Sequence, residues 1–368
     1  MNTYDYCLYN GDYSFKEKQF NYVDGLILSQ LSYIDFSGLF SKRKMTLVEL
    51  VSNLFSNKKK YLELSNNSFI EDSFKLLIQM SKTKRYKNVK IYNYVSKNCE
   101  NNVEQFGAIM FEISIFTSII AFRGTDETIV GWKEDFQLSY KDIYAQYDAV
   151  EYINKYCLPF KKYVVLGHSK GGNLSLYGAV NCNSRAQKRI KEIISFDGPG
   201  LRDGSYSVHS YNNIKNKYIK FIPSFDIVGL IFDDDCKKVV VKSNGDGFSQ
   251  HFACNWLVEG DSFVEALNIE NGSLLIKETF DNFLSNTSSR DRELFFDELF
   301  GVLENENIKS VFDISFDDII AFFRIVQKIG KSTETRKIAS VFINGFINAF
   351  GNKLSSNLKK SFSKFVKN

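Results

Sequence analysis

The stretch Tyr163-Val-Val-Leu-Gly-His-Ser-Lys-Gly-Gly-Asn-Leu174 decides the fold of this chain. It begins with a short apolar run of strand type, continues with the pattern Gly-x-Ser-x-Gly over residues 167–171, and passes into a helix-compatible run with small residues. A strand, a sharp turn and a helix in this order form a nucleophile elbow, which would expose the hydroxyl of Ser169 at the turn. The alternative is a glycine-rich turn with an incidental serine. The five-residue pattern is weak by itself, and its place between strand and helix favours the elbow.

Strand-like and helix-like runs surround this stretch. Short apolar or alternating runs lie at 89–95, 106–113, 117–122, 163–166, 190–196, 218–222 and 238–241. The first three follow one another, and the later ones alternate with helical patterns. This arrangement predicts an α/β fold with a mostly parallel central sheet flanked by helices.

The periodicity divides the chain of 368 residues into three segments. We expect an N-terminal helical segment packed on the core over residues 1–85, an α/β core over 86–260, and a C-terminal helical region over 261–368. Helices are predicted in the last segment near 285–304, 315–330 and 333–366.

The end of the chain is locally basic. No acidic residue follows Glu334, and the apolar residues Leu354, Leu358, Phe362 and Phe365 fall on one face of a helix. Such a helix either lies in a membrane interface, which predicts a peripheral membrane contact, or packs its apolar stripe on the domain.

Composition excludes several classes of protein. Basic and acidic residues number 47 and 43, so the net charge of +4 predicts no nucleic-acid partner. The six cysteines show no paired CxxC spacing, so neither a zinc site nor a disulfide framework is expected, and nothing calls for another metal or a cofactor. The start shows no basic and apolar signal and no apolar run is long enough to span a bilayer, which predicts a cytoplasmic protein.

A serine nucleophile needs a base, and the chain contains only three histidines. His168 adjoins the nucleophile and His209 lies in a loop between two predicted strands. His251 follows the last predicted strand, so it alone fits the order serine, acid, histidine of α/β-hydrolases. We therefore predict that His251 is the base, the alternative being a packing histidine.

The acid should lie between Ser169 and His251, just after a strand, where it can orient the imidazole. Asp226 follows the strand at 218–222 and is the preferred candidate. Asp197, one strand earlier, is its competitor. The run Asp233–Asp235 reads as a solvated turn.

The oxyanion of an acyl-transfer intermediate needs two donors. One is expected to be the backbone N–H of Lys170, directly after the nucleophile. The other should come from the loop after an early strand, where Thr125 follows Gly124. The alternative for this loop is a simple hairpin turn.

Several motifs together resemble a known family. Phe122-Arg-Gly-Thr125, Gly167-His-Ser-Lys-Gly-Gly172 and Phe196-Asp-Gly-Pro199 are similar to motifs of the class 3, fungal-type lipases. Residues 11–15, 20–33 and 125–135 resemble a bacterial family of lipase-like α/β-hydrolase proteins that is largely uncharacterised. The resemblance covers roughly residues 1–260.

The resemblance implies a triad of Ser169, Asp226 and His251, with Thr125 and Lys170 at the oxyanion hole. It also implies hydrolysis of carboxylic esters, with lipid-like acyl esters as substrates. Class 3 lipases usually carry an apolar residue after the nucleophile, so the ammonium of Lys170 needs an acidic partner such as Asp126, Glu134 or Asp135, or else binds an anionic group. Two other functions remain open: a catalytically silent binding protein of this fold, and a thioesterase or peptidase with the same triad.

Overall fold

The central feature of the fold is an eight-stranded sheet whose strands stand side by side in chain order. A computed structural model describes residues 1–99, 103–126, 128–232, 236–305 and 335–341. The strands of the sheet are β1 Lys44–Thr46, β2 Lys90–Cys99, β3 Glu104–Glu112, β4 Thr117–Phe122, β5 Lys162–His168, β6 Ile190–Phe196, β7 Tyr218–Pro223 and β8 Lys237–Val241. Strands β4 to β8 are parallel, whereas β1 with β2 and β3 with β4 pair antiparallel. This mostly parallel sheet confirms the predicted α/β-hydrolase type of fold.

Helices precede, separate and follow these strands along the chain. They are α1 Thr3–Tyr9, α2 Tyr22–Leu31, α3 Leu47–Ser56, α4 Lys58–Ser65, α5 Glu71–Met80, α6 Ile129–Gln137, α7 Tyr144–Tyr156, α8 Lys170–Asn181, α9 Ser184–Gln187, α10 Val208–Asn212, α11 Asn271–Ser285 and α12 Ser289–Asn305. A small antiparallel pair, β9 Val258–Glu259 and β10 Ser262–Phe263, follows the main sheet. None of the helices among the described residues is long and apolar enough to cross a membrane.

The order of the parallel strands explains why both faces of the sheet need separate cover. Because crossovers between neighbouring parallel strands are right-handed, strands added in chain order place their connecting helices on one face. Helix α8 packs there against β4, β5 and β6. The N-terminal helix α2 covers the sheet as well, with Gly25 close to the side chains of Leu166 and Phe196. Strands β5 and β6 are accordingly buried and apolar along most of their length.

A buried ion pair fixes the N-terminal helices. Asp24, in the first turn of α2, accepts hydrogen bonds from the Nε and Nη2 atoms of Arg85, and both side chains are inaccessible to solvent. The hydroxyl of Tyr86 donates to the same carboxylate at 2.5 Å. Since a buried charge is tolerated only when it is paired and hydrogen-bonded, this contact ties α2 to the segment after α5.

The chain forms two compact units. The first comprises residues 1–99, 105–124 and 144–269 and contains most of the sheet, and the second comprises 100–104, 125–143 and 270–368. In the second unit, Phe136 of α6 packs on Phe296 of α12, with ring centroids 4.6 Å apart. The segment boundaries expected after residues 85 and 260 stay predictions.

Part of the C-terminal prediction cannot be compared with the structure. Helix α12 occupies the region of the helix expected at 285–304, and residues 335–341 are helical. The helix expected at 315–330 and the rest of the one expected at 333–366, with its apolar face, lie outside the described residues.

Candidate active site

Ser169 occupies a strained turn between β5 and α8. Its φ of 57° and ψ of −132° lie in a region that residues other than glycine rarely adopt. The turn is held by the N–H of Ser169, which donates to the carbonyl of Phe196 at 2.9 Å, and by the N–H of Gly172, which donates to the carbonyl of Ser169 at 2.8 Å. Such a conformation costs on the order of 1–3 kcal/mol and is typical of functional sites. Strand, turn and helix stand as the Gly-x-Ser-x-Gly pattern predicts.

The flanking glycines permit this turn because the backbone segments approach closely. A Cβ atom at Gly167 would lie 2.3 Å from the carbonyl oxygen of Gly171, and one at Gly171 would lie 2.2 Å from the carbonyl oxygen of Phe122. Both distances are far below van der Waals contact. The start of α8 can therefore lie against the ends of β4 and β5 only when these positions lack side chains.

The imidazole of His251 contacts Asp197. His251 ends a 3-10 turn over Gly247–His251 that follows β8, and its Nδ1 atom lies 2.6 Å from Oδ2 of Asp197. Asp197 directly follows β6, and its positive φ of 53° marks a second unusual backbone position. The sequence favours Asp226 for this contact, whereas in the structure Asp197 makes it. Both aspartates follow neighbouring strands, so their order along the chain did not distinguish them.

Asp226 lies in the same buried cluster. The N–H of Gly229 is shared between the two carboxyl groups, at 2.8 Å from Oδ1 of Asp226 and 3.1 Å from Oδ1 of Asp197. The ammonium of Lys220 donates to the carbonyl of Gly229 at 3.0 Å. Asp197, Asp226 and Lys220 are almost completely buried, so the cluster contains two carboxyl groups and one cation in a medium that penalises net charge.

Burial changes the proton affinity of each acid and base in this cluster. It raises the pKa of Asp197 to about 7 and the pKa of Asp226 well above its usual value, and a hydrogen bond from Asp226 and the charge of Lys220 favour the ionised form of Asp197. Burial also lowers the pKa of His251 to about 4, so its imidazole is neutral at pH 7. With Asp197 ionised and Asp226 protonated, Nδ1 of His251 donates to Asp197 and Nε2 keeps a free lone pair, as a general base requires.

His168 connects the nucleophile turn to the histidine loop. Its Nε2 atom lies 2.8 Å from the carbonyl oxygen of His251 and must donate there, because a carbonyl oxygen only accepts. Its Nδ1 atom lies 2.9 Å from the hydroxyl of Tyr33, which can then donate to it. Burial lowers the pKa of His168 to about 3, so it stays neutral and holds this single arrangement. This positioning contact of His168 is not predicted from the sequence, where the one available signal is a histidine beside the nucleophile on a buried strand.

Neighbouring residues also hold the loop of His251. The side-chain oxygen of Gln250 accepts hydrogen bonds from the hydroxyl of Ser224 and the N–H of Phe225, both at 3.0 Å. The indole of Trp256 donates to the carbonyl of Gln250 at 2.9 Å. The base is therefore attached to the segment after β7 as well as to Asp197 and His168.

The remaining predicted site residues are less fully defined by geometry. Lys170 is the first residue of α8, directly after the nucleophile, and its side chain is buried. Thr125 belongs to the second compact unit, where its hydroxyl donates to the carboxylate of Asp135 at 2.6 Å. Gly124, which precedes it, packs against the carbonyl of His168. The hydroxyl of Ser169 forms no hydrogen bond with any residue that the structure describes.

No group of three or more His, Cys, Asp or Glu side chains is arranged to hold an ion among the residues that the structure describes.

The chain is similar to known proteins in sequence and in structure. Residues 80–301, more than half of the chain, match the model of the Mbeg1-like family, which is lipase-like. A solved structure, that of M37 lipase, is similar over 56% of this chain and 68% of that chain, with 17% sequence identity and a TM-score of 0.32. No curated protein matches the chain.

Proposed function

The chain belongs to the Mbeg1-like family, whose lipase-like character supports a hydrolase of the lipase type, and from this premise we propose that it is a serine carboxylic-ester hydrolase. The observation that carries the proposal is the combination of a strained Ser169 at the end of β5 with a neutral His251 oriented by a buried aspartate. Strain at the turn and an oriented imidazole are features that a passive glycine-rich turn does not need.

In the proposed mechanism, Oγ of Ser169 attacks the carbonyl carbon of the ester while Nε2 of His251 takes its proton. The same proton then passes to the alkoxy oxygen, which leaves as an alcohol, and the acyl group stays on Ser169. A water molecule, deprotonated by His251, attacks the acyl-enzyme, and the carboxylic acid leaves as Ser169 regains its proton. Atoms and charge balance over the two halves.

Asp197 stabilises the imidazolium that forms in each half of the proposed cycle, because its carboxylate accepts from Nδ1. We assign Asp226 the role of a protonated neighbour that keeps the second negative charge out of this buried cluster. The backbone N–H of Lys170 is the proposed donor to the oxyanion, and the expectation that Thr125 supplies a second donor stays a prediction.

The proposed substrates are lipid-like acyl esters, in keeping with the lipase-like family. Thioesters and peptides can be cleaved by the same machinery, and a silent binding protein needs none of it. A panel of p-nitrophenyl esters of increasing acyl length, tested beside a thioester and a peptide amide, distinguishes these substrate classes.

Labelling by a fluorophosphonate probe tests the nucleophile. The wild-type protein is expected to form a covalent adduct on Ser169, Ser169→Ala to form none, and His251→Ala to label at least about a hundredfold more slowly because the base is missing. Circular dichroism establishes that each variant is folded. If the folded wild-type protein forms no adduct that depends on Ser169, the protein is a binding protein and the proposal is wrong.

A further inference from the structure

Two tight turns beside the sheet expose large apolar side chains. The hairpin between β3 and β4 turns through Ile115 and Phe116, with backbone hydrogen bonds in both directions between Ser114 and Thr117. Glycine, asparagine and aspartate are the usual residues at such tips. Here Ile115 is 71% exposed and Phe116 is 67% exposed. Neither the turn nor the packing of the domain accounts for apolar residues at this place.

The second turn precedes β5 and lies directly beside the first. It runs from Leu158 to Lys161, whose N–H donates to the carbonyl of Leu158 at 3.4 Å, and the N–H of Lys162 donates to the carbonyl of Phe116 at 2.8 Å. Phe160 is 90% exposed and Leu158 is 57% exposed. The two turns therefore form one exposed apolar cluster, which we call the apolar tip, and contiguous exposed apolar surface marks an interaction site.

The edge of the sheet next to the apolar tip is basic. Because β4 to β8 are parallel, their amino ends lie along one edge. The segments that reach this edge, 155–162, 185–192, 215–217 and 236–238, contain eleven lysines and arginines and one acidic residue, Glu192. Lys161 is paired with Glu112. The acidic run Asp233–Asp235 comes directly before Cys236 in the sequence and lies outside the described residues.

An open cavity of about 750 Å³ lies along this basic edge. Lys191, Lys215, Lys217 and Lys237 line it, and Glu192, the acidic residue of its lining, accepts a hydrogen bond from Tyr22 at 2.8 Å. The pKa of Lys217, just before β7, is lowered by burial and also by the charge of Lys162 in β5, on the other side of β6. An anionic ligand would relieve this repulsion.

We propose that the amino edge of the parallel strands docks on an anionic lipid surface. The apolar tip enters the boundary between headgroups and acyl chains, and the lysines of the cavity bind headgroup phosphates. A lipid surface fits best because the apolar side chains protrude from two turns rather than lining a groove, and because cations stand beside them. Protruding apolar groups flanked by lysines match a layer that is apolar inside and negative at its surface.

Docking in this way would leave the candidate active site at the opposite edge of the sheet, away from the lipid surface. Ser169 follows the carboxyl end of β5, and the seven residues of that strand separate it from the basic edge by roughly 20 Å. The contact would anchor the protein and would not feed substrate into the site. It does not rest on the proposed hydrolase function, and vesicles should leave the turnover of a water-soluble ester unchanged.

Co-sedimentation of the full chain with vesicles tests the proposal. Vesicles of phosphatidylcholine with one part in three of phosphatidylglycerol are compared with phosphatidylcholine alone. We expect binding to the anionic vesicles that weakens with salt. Lys191→Glu/Lys215→Glu/Lys237→Glu should lower the partition coefficient about a hundredfold or more, at about fivefold for each cation removed. Phe116→Ser/Phe160→Ser should lower it roughly tenfold or more.

Matched control variants test whether vesicle binding depends on the location of these residues or only on the net charge and exposed apolar surface of the protein. Lys58→Glu/Lys59→Glu/Lys242→Glu changes the net charge by the same amount at exposed positions away from the basic edge, and Phe55→Ser/Leu62→Ser removes other exposed apolar side chains. Both controls are expected to bind as wild type does. The proposal is wrong if a control variant loses as much vesicle binding as the edge variant to which it is matched. It is also wrong if vesicle binding survives in both edge variants, which would point to the basic C-terminal segment. The proposal is also wrong if inorganic polyphosphate competes with vesicles for the protein and Phe116→Ser/Phe160→Ser binds vesicles as wild type does. The ligand would then be a soluble anion.

Discussion

Two carboxyl groups lie beside the candidate base, and only one of them can hold a negative charge at little cost. Asp197 contacts the imidazole of His251, and Asp226 shares the N–H of Gly229 with it. Like charges in a buried site force one group to keep its proton, and the hydrogen bond from Asp226 favours ionisation of Asp197. The geometry therefore distinguishes an ionised orienting acid from a neutral neighbour.

This distinction predicts different effects for two similar substitutions. Asp197→Asn should reduce kcat by about 10³–10⁴, because an amide cannot hold His251 in the required tautomer. Asp226→Asn should change kcat less than about tenfold, because the amide can still donate to Asp197. Steady-state kinetics with a water-soluble ester measures both, and probe labelling of Ser169 gives a second reading. The opposite order of the two losses would assign the orienting role to Asp226, as the sequence alone suggested.

Burial of His251 predicts an unusual acid limb in the pH profile. A base acts only in its neutral form, so kcat/KM falls as pH drops through the pKa of the free enzyme. Because burial lowers the pKa of His251 to about 4, the limb should lie clearly below the ordinary histidine value near 6.5. The measurement is kcat/KM between pH 3.5 and 8, over the range where circular dichroism shows the folded protein. A midpoint near 7 would mean that the inactivating proton binds to Asp197, whose pKa burial raises to about 7, rather than to His251.

The residues of the site differ in how far the sequence could identify them. Ser169 stands in a local pattern, and the scarcity of histidines left His251 as the one suitable base, so one-dimensional information was enough to propose both. Asp197 and Asp226 each follow a strand, and choosing between them needed the positive φ of Asp197 and the distance to Nδ1. The contact of His168 depends on two segments 83 residues apart in the chain, which no local pattern contains.

At the scale of elements, the nucleophile elbow depends on close contact between α8 and the ends of two strands. Gly171→Ala should destabilise the protein by roughly 2 kcal/mol or more, because the new Cβ would meet the carbonyl oxygen of Phe122 at 2.2 Å and neither backbone can yield cheaply. Chemical denaturation measures the loss, and probe labelling of Ser169 should fall as the turn is displaced.

Gly301→Ala is the matched control, because Gly301 lies in α12 with open space where a Cβ would stand. Alanine there should stabilise its helix by up to about 1 kcal/mol. If both substitutions have the same effect, close packing at the elbow is not the reason for its glycines.

The elements themselves were largely predictable from the sequence, whereas their arrangement was not. Alternating and apolar runs correspond to β2 through β8, because burial on one or both faces sets a period that the sequence shows directly. The side-by-side order of the strands depends on long-range pairing and left no local signal. For the same reason, the short strand β1 and its pairing with β2 were not foreseen.

At the scale of the whole molecule, buried titratable groups connect stability to pH in opposite directions. Burial lowers the pKa of His168 to about 3 and of His251 to about 4, so the unfolded state binds protons that the folded state refuses, and both residues reduce stability as pH falls below about 6.5. Asp197 and Asp226 have raised pKa values, so the folded state binds protons that the unfolded state releases. Their contribution is fully present below about pH 4 and is lost as pH rises through the folded values.

Replacing one of these groups should isolate its contribution to the pH dependence of the free energy of unfolding. Asp226→Asn removes a carboxyl group that the folded protein must keep protonated, so its free energy of unfolding should rise relative to wild type as pH increases from 5 to 8. The slope can reach about 1.4 kcal/mol for each pH unit while the folded group stays protonated. Both histidines remain in variant and wild type, so their effects cancel in the difference. Urea denaturation at several pH values measures it, with Asp203→Asn at an exposed position as the control. A difference that stays constant with pH, or falls, would mean that Asp226 is ionised in the folded state, which would also assign it rather than Asp197 the charge that orients His251.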